Sequence, residues 1–123
     1  MAERRITSFE EFWPFYIGEH RVPLSRGLHY AGTTIATTTA ILAATTGRWW
    51  LIPLALAFGY GPAWIGHFFI ENNKPASFKY PLWSLRSDYK MLWFAARGKM
   101  AGEVTRLYGS AAPPRDAPLL VPR

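Results

Sequence analysis

The sequence contains no cysteine, and this absence limits the metal chemistry open to the chain. Disulfides and thiolate metal sites are excluded, so any metal would be held by nitrogen or oxygen ligands. No serine lies in a G-x-S-x-G motif, which leaves hydrolase chemistry without support. Residues 1–7 carry charges and no apolar run follows them directly. We therefore expect no cleavable signal peptide and insertion through internal segments.

Charge is scarce in the middle of the chain. Of the fourteen Lys and Arg residues, Arg48 alone lies between Leu28 and Ile70, and nine follow Glu71. The net charge of +6 would suit nucleic acid or lipid, but this flanking arrangement is typical of membrane segments. Half of the 123 residues are hydrophobic, and they are bunched rather than dispersed. The composition predicts a membrane protein that contacts a lipid bilayer and no nucleic acid.

Two apolar segments predict two membrane spans. Residues 28–46 carry no formal charge unless His29 is protonated, and at about 1.5 Å rise per residue they cross roughly one hydrocarbon layer. Residues 51–70 form the second span, and the glycines and proline within 59–62 predict a bend just before His67.

Amphipathic segments flank these spans. Phe9, Phe12, Trp13 and Tyr16 share one face of a short helix, which we expect to lie on the membrane interface. A helix beginning at Pro81 should turn its cations to lipid head groups. Its basic face comprises Arg86, Lys90 and Arg97, and its apolar face comprises Leu82, Leu85, Tyr89, Leu92, Trp93 and Ala96. The predicted fold is an all-α integral membrane protein, a two-span helical hairpin with flanking amphipathic interfacial helices.

The chain is predicted to form a single membrane domain over residues 1–109. An Ala- and Pro-rich tail over 110–123 should be disordered, and 120–123 match the start of a thrombin cleavage site, as in a tag remnant. The distribution of basic residues places both termini in the cytoplasm, at a bacterial inner membrane or an ER-type membrane. Because two spans make an undersized bundle, a homodimer would complete it.

All three histidines belong to one membrane edge under this topology. His20 precedes the first span, His29 starts it and His67 ends the second, with Glu19 and Glu71 nearby. Glu71 follows His67 by one helical turn, so the two side chains share a face. Neutral imidazoles suit iron, zinc or copper, and two or three with a carboxylate form the ligand set of non-haem Fe(II) oxygenases.

Each histidine also has a structural interpretation. His20 beside Arg21 would be a solvated loop residue, His29 could cap a helix end, and His67 with Glu71 could be a local hydrogen-bonded pair. The residues alone leave both interpretations open. Convergence of the three favours the metal site.

Two motifs at this separation resemble a known family. They are Glu19-His20-Arg21-x-Pro23-x-x-Arg26-x-x-His29-x-x-Gly32 and Gly66-His67-Phe68-Phe69-x-Glu71-x-x-x-Pro75-Ala76. Together they resemble the small membrane family typified by the fungal 2-hydroxy fatty acid dioxygenase, over about residues 9–97. The resemblance implies an Fe(II)-dependent enzyme that removes one carbon from long-chain 2-hydroxy fatty acids in α-oxidation, using dioxygen.

The resemblance also implies roles for individual residues. His20, His29 and His67 would bind Fe(II), and Glu71 would be a fourth ligand or the orienter of His67. The substrate's carboxylate and hydroxyl would then chelate the metal.

A guanidinium fork suits the substrate's carboxylate, so we expect Arg21 or Arg26 to hold it. The sequence departs from many relatives at Val22 and Ser25, where they carry asparagine. The alternative function is a non-catalytic membrane hairpin that organises lipids or a partner protein. Thr-rich packing, the tryptophans and the basic helix would serve it without a metal.

Overall fold

The computed structural model describes residues 5–121, and every regular element in that range is helical. Five α-helices, α1 to α5, follow in the order Phe9–Gly18, Pro23–Thr46, Leu51–Ile65, Pro81–Ala96 and Met100–Tyr108. A π-helical turn, Gly66–Glu71, extends α3, and a short 3-10 turn, Ala76–Phe78, precedes α4. The prediction of an all-helical chain is confirmed.

Helices α2 and α3 form an antiparallel pair that approaches closely through glycine. Pro23 opens α2, where its missing N–H is not needed, and Gly47 closes it with φ of 69° in the left-handed region. A Cβ atom on Gly32 would lie 3.0 Å from the Phe58 carbonyl oxygen. The close packing of the two helices therefore requires a residue without a side chain at that position.

Only one of the two predicted spans is long and apolar enough to cross a membrane. Within the described residues that stretch is Leu51–Glu71, 21 residues long, and 17% of its most apolar window is buried. Helix α2 has the length but is rich in threonine, whose hydroxyls bond to carbonyls of the preceding turn, as Thr39 Oγ1 does to the Ile35 oxygen at 2.8 Å. The prediction of a two-span hairpin is wrong, because residues 28–46, the first predicted span, are too polar to cross a membrane.

The hydrophobic core lies between α1, α4 and α5. Phe12 and Ile17 are fully buried, and Trp13 is nearly so. The Phe12 ring meets the edge of Tyr80 at 5.3 Å, and Trp13 stacks on Phe94 at 5.8 Å between ring centres. The interfacial position predicted for α1 is therefore wrong, because protein and not lipid covers its aromatic face.

Helix α4 presents the opposite face from the one predicted. The Arg86 guanidinium lies 3.9 Å from the Phe9 ring centre, and the Lys90 ammonium lies 4.4 Å from that of Trp13. Both cations thus pack on the aromatic rings of α1, where the ring faces attract positive charge. Leu82, on the apolar face, is 79% exposed. The predicted interfacial orientation of α4 is wrong, since Arg86 and Lys90 pack on the rings of α1 while Leu82 of the apolar face is exposed.

Residues 110–121 lie against the loop between α1 and α2. Arg26 Nη2 donates to the Ala111 carbonyl at 2.7 Å, and the Leu120 N–H donates to the Leu107 carbonyl at 2.8 Å. The single domain over 1–109 and the disordered tail over 110–123 stay predictions. So does the tag remnant at 120–123, of which residues 122–123 lie outside the described range.

Candidate metal centre

His20 lies in the loop that follows α1, and it is completely buried. Its Nδ1 lies 2.6 Å from the carbonyl oxygen of Tyr16, one helical turn earlier. A carbonyl only accepts, so Nδ1 carries the proton and Nε2 is left as an acceptor. Burial lowers the pKa of His20 well below its ordinary value, and the neighbouring charges of His29 and His67 lower it further.

The other two histidines come from the paired helices and are fixed in the same way. His29 Nδ1 lies 3.0 Å from the Ser25 carbonyl oxygen, and His67 Nδ1 lies 2.7 Å from Asn73 Oδ1. The Asn73 amide is itself oriented, because its Nδ2 donates to the backbone oxygen of Glu19 at 3.0 Å and to Oε2 of that residue at 2.7 Å. In both histidines Nδ1 is the donor and Nε2 is the free acceptor.

The three imidazoles converge on one point. Their ring centres are 4.3 to 5.0 Å apart, and one ligand atom from each lies within 4.8 Å of the others. His20 Nε2 lies only 3.0 Å from His29 Nε2. Two lone pairs at that distance repel unless a cation lies beside them, and nitrogens about 2.1 Å from one ion can lie about 3 Å apart. The donor set therefore fits a metal that prefers imidazole.

Glu71 is buried beside the triad, but its carboxylate is engaged elsewhere. Its Oε2 accepts the backbone N–H of Val22 at 2.9 Å, and it lines a separate cavity of about 670 Å³. Among residues 5–121, the group of three or more ligand residues whose atoms lie within 4.8 Å of one another consists of the three histidines. The group bonded to His67 is Asn73. A role for Glu71 as ligand or orienter stays a prediction.

The two predicted carboxylate-binding arginines bond to backbone oxygens. Arg21 Nε donates to the Gly18 carbonyl at 2.8 Å, and Arg26 Nη1 donates to the His20 carbonyl at the same distance. Arg26 also reaches the Ala111 carbonyl, so it joins the histidine loop to the C-terminal segment. Their predicted contact with substrate stays a prediction. In the structure they hold the loop that carries His20.

The imidazoles line one end of a cavity of about 220 Å³. Its walls on α2 and α3 are mostly small and apolar, and include Ala36, Ala55, Gly59 and Ala63. Three further lining residues, Tyr60, Trp64 and Leu85, are 45%, 40% and 54% exposed. The cavity therefore opens between α3 and α4 onto an apolar surface.

Sequence reasoning missed two residues of this site. Asn73 follows His67 by six residues, beyond the spacing at which helical side chains meet. The π-helical turn and the left-handed Asn72, with φ of 57°, bring it back to the ring. Asp88 of α4 lines the cavity and accepts a hydrogen bond from the Tyr16 hydroxyl. Tyr16 lies one turn before His20 in the sequence, and this spacing is the signal for its place beside the site.

Comparison with known proteins gives one match. The family model described as 2-hydroxy-palmitic acid dioxygenase Mpo1-like matches residues 6–100, which include all three histidines. No curated protein and no solved structure has a significant match to the chain.

Proposed function

The chain belongs to the Mpo1-like family, and on that premise we propose that it is a membrane-embedded non-haem Fe(II) dioxygenase. Its substrate would be a long-chain 2-hydroxy fatty acid, shortened by one carbon in α-oxidation. Membership confirms the resemblance seen in the sequence, and the family's description implies a dioxygenase with a fatty-acid substrate. The observation that carries the proposal is the convergence of three Nε2 acceptors whose Nδ1 atoms are all engaged.

The donor set suits iron. His20, His29 and His67 would hold Fe(II), which supplies the capacity to activate dioxygen when it is bound. The protein's contribution is to fix the rings, because each Nδ1–H is tied to an oxygen and cannot exchange roles with Nε2. Asn73 does this for His67 through a side chain, which makes it the positioning residue most open to mutation.

The cavity gives the substrate its place. At about 220 Å³ it is smaller than the roughly 300–1,000 Å³ of sites that enclose drug-sized ligands. It would hold the head of a long-chain acid against the imidazoles, while the rest of the chain leaves between α3 and α4. The small apolar wall excludes water from the head.

A bilayer would cover the surface onto which that chain emerges. Leu51–Glu71 has the length and apolarity of a span, and large apolar side chains on α3 and α4 are exposed. These include Leu56, Phe58, Trp64, Phe69, Leu82 and Trp93. The cytoplasmic position of both termini, the type of membrane and the homodimer stay predictions.

Iron content tests the proposal. Detergent-purified protein, loaded anaerobically with Fe(II) and desalted, should retain stoichiometric iron and consume dioxygen with 2-hydroxypalmitate but not with palmitate. His67→Ala should lose both properties. Phe69→Ala is the matched control, because that ring lies two residues away and is 79% exposed.

Folding is followed in parallel by circular dichroism. Wild-type protein that is folded yet iron-free after anaerobic loading would overturn the enzyme and support a non-catalytic protein that organises lipids or a partner protein. Retention of full iron by His67→Ala would show that the triad is not the site.

A further inference from the structure

The cavity has a second polar wall, which is formed by α4 and not by the elements that carry the histidines. Ser84 and Asp88 lie one turn apart on α4, and both line the cavity. At that spacing two side chains share a helix face. Ser84 is 4% exposed, and its Oγ has no hydrogen-bond partner within the described residues. A buried hydroxyl without a partner beside a cavity is available to bond a ligand group.

Only one of the two carboxylate oxygens of Asp88 has a hydrogen-bond partner among the described residues. One carboxylate oxygen, Oδ1, accepts a hydrogen bond from the Tyr16 hydroxyl, whereas no bond to Oδ2 occurs within residues 5–121. The Tyr16 bond ties α1 to α4 and so explains Oδ1 by a purely structural role. The bond to Tyr16 does not explain Asp88 Oδ2 or the Ser84 hydroxyl. Two apolar side chains at these positions would pack there at a lower desolvation cost.

The second polar wall lies close to the histidines. The Tyr16 ring centre is 4.1 Å from that of His20, and the hydroxyl of the same tyrosine reaches Asp88. One tyrosine ring therefore spans the gap between the metal centre and α4. The imidazoles, Ser84 and Asp88 line one cavity, which a single bound molecule can occupy.

We propose that Ser84 and Asp88 recognise the 2-hydroxyl group of the substrate, and so select 2-hydroxy fatty acids over unsubstituted ones. The hydroxyl donates to Asp88 Oδ2 and accepts from the Ser84 hydroxyl, which satisfies all three groups. An unsubstituted acid has only hydrogen at that carbon and leaves both protein oxygens unpaired. Sites built to bond a substrate hydroxyl discriminate strongly against analogues that lack it. The inference rests on the proposed function and names its selectivity device.

Equilibrium binding to the Fe(II)-loaded, anaerobic protein tests this inference without turnover. The ratio of the dissociation constants for palmitate and 2-hydroxypalmitate, followed by tryptophan fluorescence, is expected to be roughly 10 to 100 in the wild type. Asp88→Ala should lower the ratio about tenfold through weaker binding of the hydroxy acid alone. Ser84→Ala, the smaller change, should lower it by a few fold.

Tyr16→Phe is the matched control, because it breaks the same α1–α4 bond but leaves Asp88 Oδ2 in place. It should keep the selectivity ratio, and Asp116→Ala, a change of the same charge in the C-terminal segment, should do likewise. An equal loss of selectivity in Tyr16→Phe and Asp88→Ala would overturn the inference in favour of a structural bond.

Iron analysis separates the two proposals. Iron-loaded wild type that binds both acids equally, or an iron-loaded Asp88→Ala that keeps the preference, would overturn the selectivity role and leave the dioxygenase standing. Wild type that takes up no iron would overturn both. If Asp88→Ala does not fold, an unchanged ratio in Ser84→Ala is sufficient to reject the inference.

Discussion

The aromatic residues are buried in one half of the molecule and exposed in the other. In the bundle of α1, α4 and α5, Phe12 is fully buried and Trp13 nearly so, whereas Phe69 at the end of the long apolar stretch is 79% exposed. Within α3 only Ala55 is buried. The first half makes its own core, and the second relies on its surroundings to cover it. The histidines lie on the boundary, with His20 from the first half and the other two from the second.

The largest effect should come from removing a ring from the core, and removal of an exposed ring from the other half is the comparison. Phe12→Ala should lower the free energy of unfolding by about 3–5 kcal/mol, because it leaves a cavity among rigid neighbours. Phe69→Ala should change it by less than about 0.5 kcal/mol in detergent, since an exposed side chain loses few protein contacts. Urea unfolding followed by tryptophan fluorescence measures both.

Similar losses in the two variants would contradict this division. They would mean that Phe69 packs against protein in solution, as it would across a dimer interface. The same unfolding curves measured over a range of protein concentrations would distinguish that case.

The stability of the folded protein should depend on pH through Asp88, which lines the cavity between the two halves. Burial raises the pKa of Asp88 from its ordinary 3.8 to about 6, against a lowering by the Tyr16 hydrogen bond. The folded state thus binds this proton more tightly than the unfolded state. The stabilisation is complete below about pH 4 and is lost as pH rises to 6, by up to about 3 kcal/mol.

Asp88→Asn removes the titrating group and keeps an oxygen for Tyr16. The difference in unfolding free energy between wild type and this variant, measured at intervals from pH 4 to 7, isolates the contribution of Asp88 from that of other acids. A difference that stays constant across that range would show that the carboxyl is not desolvated.

The smallest effect is expected from the residue that positions His67. Asn73→Ala should weaken Fe(II) affinity by about 10- to 100-fold while leaving some binding, because the ring loses its hydrogen-bond partner but keeps its Nε2. Competition with a chelator of known affinity measures it. Lys74→Ala, an exposed neighbour, serves as the control. An unchanged affinity in Asn73→Ala would remove Asn73 from the positioning network.

The positions of the three histidines relative to the helices were sufficient to predict that they lie together. His20 and His29 flank the start of one helix and His67 ends the next, so an antiparallel pair joined by the short turn after Gly47 must place them at the same end. The helical periodicity of α1 and α4 was also visible. The roles of individual residues at the centre, including Glu71, Arg21 and Arg26, remain predictions.

What covers each helix face could not be predicted. Periodicity shows that α4 has an apolar and a basic face, but Arg86 and Lys90 pack against α1 because its rings offer them cation–π contacts. The absence of charge made residues 28–46 resemble a span, but their threonines keep that segment below the apolarity that a span needs. The orientation of α4 was predicted wrongly because a tertiary contact overrides the local pattern.

Because of the π-helical turn, the number of residues between His67 and Asn73 cannot change without separating their side chains. Such turns carry one residue more than the α-helical repeat, and deleting it would rotate everything on one side by about 100°. The imidazole and its amide partner would then face different directions. During evolution this segment should accept substitutions more readily than insertions or deletions. The turn that follows Gly47, remote from the centre, is where the chain can change in length.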